Sequence, residues 1–296
     1  MNRLNLLLSS ILSLTFLFFI LLGDSGANKN TAFSDDDDRR ACEEKLSSFD
    51  ASLKDMPIDE VIAEVGISFL GTEYVAGTLD ENPDEEVLVI KITGLDCVTF
   101  VENALVMSRL IKKGKTDIED YENELEFIRY RDGSNTGYTS RLHYFTDWIY
   151  DNEGKGVIKN ITYDIGGVPY NKNINFMTTH TKSYKQLHGN NKNISRMKEV
   201  ESSMNERELF YIPKSKVDDY YDLLQTGDII ATTTDIGGLD VTHTGFLFKE
   251  NGKTYFMHAS STENEVVISY EQLKQYLQSN KKQTGIIVAR PLDVNK

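Results

Sequence analysis

Cys97 follows Asp96 and opens an apolar run in the stretch "GLDCVTFVENAL", residues 94–105. Backbone N–H groups and the dipole at the start of a helix favour a thiolate, so a nucleophilic cysteine belongs there. The competing readings are a small buried core thiol, or half of a disulfide with Cys42, the chain's other cysteine. Far downstream, "VTHTGFLFKENGKTYFMHAS" sets two alternating apolar runs about Asn251-Gly252. Asn-Gly signals a hairpin, because both turn residues need positive φ. With those two as the loop, Glu250 faces Lys253, Phe248 faces Tyr255, Phe246 faces Met257 and Gly245 faces His258. His243 and His258 then emerge on one face as diagonal neighbours, with Gly245 leaving room beside His258. Two histidines on one face admit two chemistries. One is a metal site, which needs a third ligand. The other is a catalytic pair, in which one imidazole deprotonates a thiol and the second orients the first. Cys97 fits either. Taken singly, each histidine is more often structural; a cysteine at a helix start together with the pair favours the nucleophile.

The elements that must position these residues are legible in outline. Ile58, Val61, Ile62 and Val65 mark one face of a helix, with Asp59 and Glu60 near its positive end. "EVLVIKIT" (86–93) is a β-branched run typical of a strand, and "GLD" is a turn. Val98, Val101, Leu105 and Leu110 give the helix after Cys97 its apolar face, and it ends at "KKGK" (112–115). From Ile118 to about Leu224 the chain is aromatic-rich and irregular. The last third is rich in strands: "TGDIIATTT", the hairpin, "EVVISY" and "TGIIVARPL". Helices first and strands later predict an α+β fold.

The chain has 296 residues and a formal net charge of −14. An acidic surface without a basic stripe argues against a nucleic-acid partner. Residues 1–27 hold one positive charge, a long apolar run, and Ser25 and Ala27 placed for cleavage after Ala27. They read as a secretory signal, or as an uncleaved anchor. No cysteine directly follows the apolar run, which disfavours lipid attachment there. Either way the body of the protein is expected outside the cytoplasm, periplasmic or in the cell envelope. Residues 28–50 read as an acidic linker, and 51–296 as a single domain. The paucity of cysteines disfavours a disulfide framework.

"LGTEYVAG", "GLDCVTFV", "LLQTGDII", "THTGFLF" and "FMHAS" occur in the order found in the NlpC/P60 cysteine peptidases of bacterial cell walls, which the chain resembles from about residue 55 onward. That resemblance implies a papain-like core, in which a Cys-bearing helix packs on an antiparallel sheet. It makes Cys97 the nucleophile, His243 the base and His258 its orienting partner, with Tyr74 supporting the oxyanion site. The usual Gly-x-Pro-Tyr reads Gly71-Thr72-Glu73-Tyr74 here, and the common "DCSGF" reads "DCVTF". "IRYRDG", "SRLHYFTDWI" and "GLDVTHTGF" are similar to the DUF1460 branch, with a large insertion at about 115–222. This implies an N-acetylmuramoyl-L-alanine amidase working without metal or other cofactor on peptidoglycan or muropeptide fragments. Its membrane contact would be limited to the N-terminal segment.

Substrate contacts are sought among Asp96, Arg129, Arg131, Arg141, His143, Tyr144, Trp148 and Asp240. Arginine pairs with carboxylates and aromatics stack on sugars. For Tyr144 and Trp148 a core role is the stronger expectation, and for Asp96 a helix N-cap is an equal one. His180 and His188 read as solvated. The other function classes are a D-glutamyl-diamino acid endopeptidase, a zinc hydrolase using Cys97, His243 and His258, and a non-catalytic wall-binding module.

Overall fold

Asp38, Cys42 and Leu46 recur every fourth residue, a spacing that places them on one face of a helix. The computed structural model, which describes residues 31–294 apart from 34, 35, 81 and 83, has that helix. After β1 (Thr31–Phe33), α1 (Asp36–Ser48) lays Cys42 and Leu46 into the main core. Asp38 is fully buried; its Oδ1 accepts from the Ile92 and Thr93 N–H groups, both at 2.9 Å, and from Thr93 Oγ1 at 2.7 Å. The expected linker over 28–50 is therefore corrected from residue 36 onward. Its dense charge hides a buried stripe whose aspartate is itself an anchor. Asp36 and Asp37 sit at the helix's positive end, where negative charge is favourable. The expected signal or anchor over 1–27 lies outside the described residues.

The chain continues through α2 (Ile58–Ile67), β2 (Glu73–Tyr74), β3 (Leu88–Ile90) and β4 (Gly94–Leu95) into α3 (Cys97–Lys113). Then come α4 (Ile118–Arg129), α5 (Phe145–Gly154), β5 (Ile158–Asn160), β6 (Val168–Pro169), α6 (Phe176–Thr179), α7 (Asn191–Asn205) and β7 (Phe210–Pro213). The last third supplies β8 (Ile229–Thr234), β9 (Val241–Glu250), β10 (Lys253–Ser260), β11 (Glu265–Ile268), α8 (Leu273–Ser279) and β12 (Gln283–Pro291).

The fold is α+β. Its large sheet runs β4-β2-β11-β10-β9-β8-β12-β7-β6, with β5 also on β12. The sheet is mixed rather than wholly antiparallel, because β2 and β4 pair in parallel. The "EVLVIKIT" strand is shorter than expected and pairs in parallel with β1, apart from the main sheet. The middle segment is not a separate appendage: α4 packs into the main core, and β5 and β7 extend the sheet along β12.

Helix α3 is the central element. Its burial is nearly complete, so its polar side chains need partners. Glu102 pairs with Arg129 at 2.8 Å, Arg109 with Glu124 at 2.6 Å, and Lys112 donates to the Met56 and Lys54 carbonyls. Phe100 sits edge-on to Phe69 and to Phe246, with centroids 6.1 and 5.6 Å away, tying α3 to β9. Gly114, at φ 68°, ends α3 at the expected "KKGK".

Candidate active site

Turn β4 to α3 places Cys97 at the first helical position. Asp96 is the N-cap. Its Oδ1 accepts from the Val98 N–H at 3.1 Å and the Thr99 N–H at 2.8 Å, while Thr99 Oγ1 accepts from the Asp96 N–H at 2.9 Å. This capping box engages the Asp96 carboxylate in starting the helix. The Cys97 thiol is pushed up to about 12 by burial and by the Asp96 carboxylate. Backbone N–H groups of Thr244, Cys97 and Val98 act in the opposite direction, favouring negative charge on sulfur. Both cysteines are free, and Cys42 is buried in α1.

The hairpin has the register derived from the Asn251-Gly252 turn: Glu250 pairs with Lys253, Phe248 with Tyr255 and Phe246 with Met257. Asn251 and Gly252 have φ of 50° and 74°. His243 Nε2 lies 2.7 Å from His258 Nδ1, and the two rings meet edge to face. Gly245 makes this approach possible, since a Cβ there would lie 2.5 Å from the Met257 carbonyl oxygen and 2.8 Å from His258 Cβ. Phe256 stacks on the His258 ring at 4.7 Å, and Tyr276 packs against it at 5.0 Å.

Burial lowers His243 to about 4; burial and then the neighbouring His243 lower His258 to about 3. Both rings are therefore neutral near pH 7, and one proton lies between them. If His243 Nε2 donates that proton, its Nδ1 keeps a lone pair free to act as a base. The Tyr74 hydroxyl is raised by burial and by the nearby Cys97 and Asp96 charges, which places it in the same neighbourhood as the thiol.

Two residues the sequence reading missed complete the surroundings. Tyr276 from α8 is pushed up to about 12 by burial and by Cys97, with the Gln283 amide opposing. Gln283 begins β12 and donates from Nε2 to Thr232 Oγ1 at 3.2 Å. Neither stands in a motif; both arrive through the strand order that sets β12 beside β8. Together with His243 and His258 they line a cleft of about 610 Å³. Among the described residues, no group of three or more His, Cys, Asp and Glu side chains is placed to hold a metal ion.

The substrate-contact candidates of the middle segment are drawn into packing instead. Arg141 is 6% exposed; its guanidinium pairs with Asp80 and with Glu86 at 3.2 Å, and donates to the Leu79 carbonyl at 3.0 Å. The Tyr144 hydroxyl donates to Glu201 and accepts from the Met177 N–H. Asp240 is buried and accepts from the Thr146 N–H and hydroxyl at 2.8 and 2.9 Å. His143 Nε2 contacts the Tyr138 carbonyl at 2.7 Å, and burial and Arg141 hold its pKa well below the usual range. Arg129 pairs with Glu102, Arg131 with Asp147, and Trp148 is fully buried. His180 and His188 are exposed.

Residues 64–286 match the family model described as AmiA-like, N-acetylmuramoyl-L-alanine amidase-like. The chain is similar to the crystal structure of an N-acetylmuramoyl-L-alanine amidase from Bacteroides uniformis. Identity is 39%, the TM-score is 0.74, and the match covers 79% of this chain and 98% of that one. A Legionella pneumophila protein of the DUF1460 family has a similar fold, at 23% identity and a TM-score of 0.62. That match covers 86% of this chain and 94% of the other. No curated protein sequence matches.

Proposed function

The chain belongs to the N-acetylmuramoyl-L-alanine amidase-like family, and on that premise we propose that it is a cysteine-dependent amidase of the NlpC/P60 type. It cleaves the amide between the lactyl group of muramic acid and L-alanine, on peptidoglycan or its released fragments. The observation that carries this reading is the 2.7 Å contact between His243 and His258, with the thiol at the start of α3 meeting the backbone N–H of Thr244, the residue after His243. Peptidoglycan lies outside the cytoplasm, which fits an N-terminal segment that exports or anchors the chain.

In this mechanism His243 Nδ1 takes the proton from Cys97 Sγ as the thiolate attacks the amide carbonyl carbon. His258 Nδ1 accepts from His243 Nε2–H and steadies the imidazolium that forms. The Cys97 backbone N–H, with Tyr74 beside it, stabilises the oxyanion. The C–N bond breaks as His243 returns its proton to the leaving nitrogen, which leaves a thioester on Cys97. Water, deprotonated by His243, attacks the thioester carbon; the lactyl acid departs and the thiol is restored. The resting pair is neutral, with the thiol at about 12 and His243 at about 4.

The test is mass spectrometry of defined muropeptides incubated with the protein and with Cys97→Ala. The expected product is an intact stem peptide beginning at L-Ala, absent with the mutant. A disaccharide still carrying L-Ala-D-Glu would instead assign the endopeptidase reaction. Activity lost to a chelator and restored by zinc would assign metal chemistry, and catalysis surviving in Cys97→Ala would refute the nucleophile.

A further inference from the structure

β8 and β9 pair Thr232 with His243 but Thr233 with Val241, so Thr242 is an extra residue on β9. Such a β-bulge bends its strand and re-aims the neighbouring side chain. Here the neighbour is His243. Because the ladder is broken at that point, it does not by itself carry the register from the preceding loop to the imidazole. That loop, residues 235–240, contains Gly237 and Gly238. Within it the Leu239 N–H reaches the Ile236 carbonyl at a long 3.3 Å.

Anchors for the loop come from the middle segment. Tyr170 follows β6 and is buried, with its hydroxyl between the two arms of the loop. The hydroxyl accepts from the Thr234 N–H at 3.1 Å. It lies 2.8 Å from the Thr234 carbonyl oxygen and 2.9 Å from that of Asp240. A single hydroxyl proton serves carbonyls on both arms, so the phenol cross-links the end of β8 to the start of β9. Lys172 Nζ donates to the Thr234 and Ile236 carbonyls at 2.7 and 2.5 Å. The Asn175 and Phe176 N–H groups donate to the Gly238 carbonyl, both at 3.0 Å. A Cβ on Gly238 would lie 2.5 Å from Asn175 Oδ1, so the loop is pressed against this segment. Tyr144 makes the contrast. It is another buried tyrosine of the middle segment, but its hydroxyl is used by Glu201 of α7 and the Met177 N–H of α6.

We propose that Tyr170 is a positioning residue for His243: by cross-linking Thr234 to Asp240, its hydroxyl pins the bulge at Thr242 and fixes the direction of the imidazole. The consequence for hydrolysis rests on the reading of His243 as the base; the pinning of the bulge does not. The middle segment thereby acts on the reaction without contact to the reacting atoms.

Tyr170→Phe removes one oxygen and leaves the ring. On defined muropeptides it is expected to lower kcat about tenfold with KM unchanged, since slight misplacement of a base is costly. Lys172→Met removes a second anchor of the same loop and should lower kcat in the same sense by a smaller factor. Tyr144→Phe should lose stability in urea without losing kcat. Unchanged kcat in Tyr170→Phe would overturn the proposal. So would an equal loss in Tyr144→Phe, because general loosening of the middle segment would then suffice. A second arm needs no substrate and so separates this inference from the amidase reading. Long-range proton–nitrogen NMR of histidine-labelled protein reads which ring nitrogen of His243 carries the proton. One tautomer in wild type and Tyr144→Phe, with exchange between two in Tyr170→Phe and Lys172→Met, supports the positioning role even if no muropeptide is cut. The same single tautomer in all four proteins refutes it.

Discussion

Two buried polar clusters in this protein are built from similar residues and do different things. Around Arg141, the guanidinium meets Asp80, Glu86 and the Leu79 carbonyl, and Glu86 also accepts from the Tyr130 hydroxyl at 3.0 Å. Arginine's charge is answered on several sides by its own chain, and the cluster locks the middle segment to the turn after β2. Around His243, the two imidazoles meet each other, no charged partner faces them among the hydrogen bonds and ion pairs of the described residues, and a cleft opens alongside. What distinguishes the candidate site from the structural network here is the cleft beside it, not an unpaired atom, since Arg141 Nε lacks a hydrogen bond among the described residues. Residue type and burial do not separate them.

The largest expected effect tests the open cluster. Cys97→Ala should lower muropeptide hydrolysis by at least ~10⁴-fold, measured by product release, with a circular-dichroism melt close to wild type. The closed cluster should respond in stability instead. Arg141→Ala leaves Asp80 and Glu86 without their cation and should destabilise by about 3–5 kcal/mol in urea unfolding. Its activity per folded molecule at low temperature should stay near wild type; a selective loss of kcat would move Arg141 into the site.

A smaller effect is expected where one histidine supports the other. His258→Ala should lower kcat roughly 10²-fold with little change in KM, because His243 loses the acceptor that fixes its tautomer and orientation. Equal losses in His243→Ala and His258→Ala would show that the pair acts as one unit.

The mildest perturbation is pH. Burial lowers His243 from 6.5 to about 4 in the fold, so kcat/KM should hold down to about pH 5 and decline near pH 4, where the base protonates. The same shift has a sign for stability. Between pH 6.5 and 4 the unfolded chain binds a proton that the folded state does not. The stabilisation is full above 6.5 and lost as pH falls through about 4. His258, lowered to about 3, extends the loss further into acid. Chemical denaturation at stepped pH measures this, and stability rising on acidification would contradict the buried neutral pair.

Local sequence carried the Cys97, His243 and His258 part of the candidate site because its rules are local. The start of α3 follows from Asp96 and Thr99, three residues apart, and the histidine pair follows from a two-residue turn and the two-residue period of a strand. Composition misled where one face of an element differed from its average: α1 is strongly charged, yet its Asp38-Cys42-Leu46 stripe is buried. The middle segment offered arginines, histidines and aromatics, but whether a polar side chain points into a core or a cleft depends on partners far along the chain. Arg141 reaches back to Asp80, and Asp240 to Thr146.

By itself, then, the sequence determined the place of Cys97 at the start of a helix, the hairpin register and the shared face of His243 and His258, since short-range sterics and hydrogen bonding set all three. Only the tertiary structure decided that the two imidazoles bond directly, that Arg141, Tyr144 and Asp240 are engaged elsewhere, and that Tyr276 and Gln283 join the cleft. Those outcomes depend on strand order and on which distant groups satisfy a buried charge. Neither is encoded in the spacing of neighbouring residues.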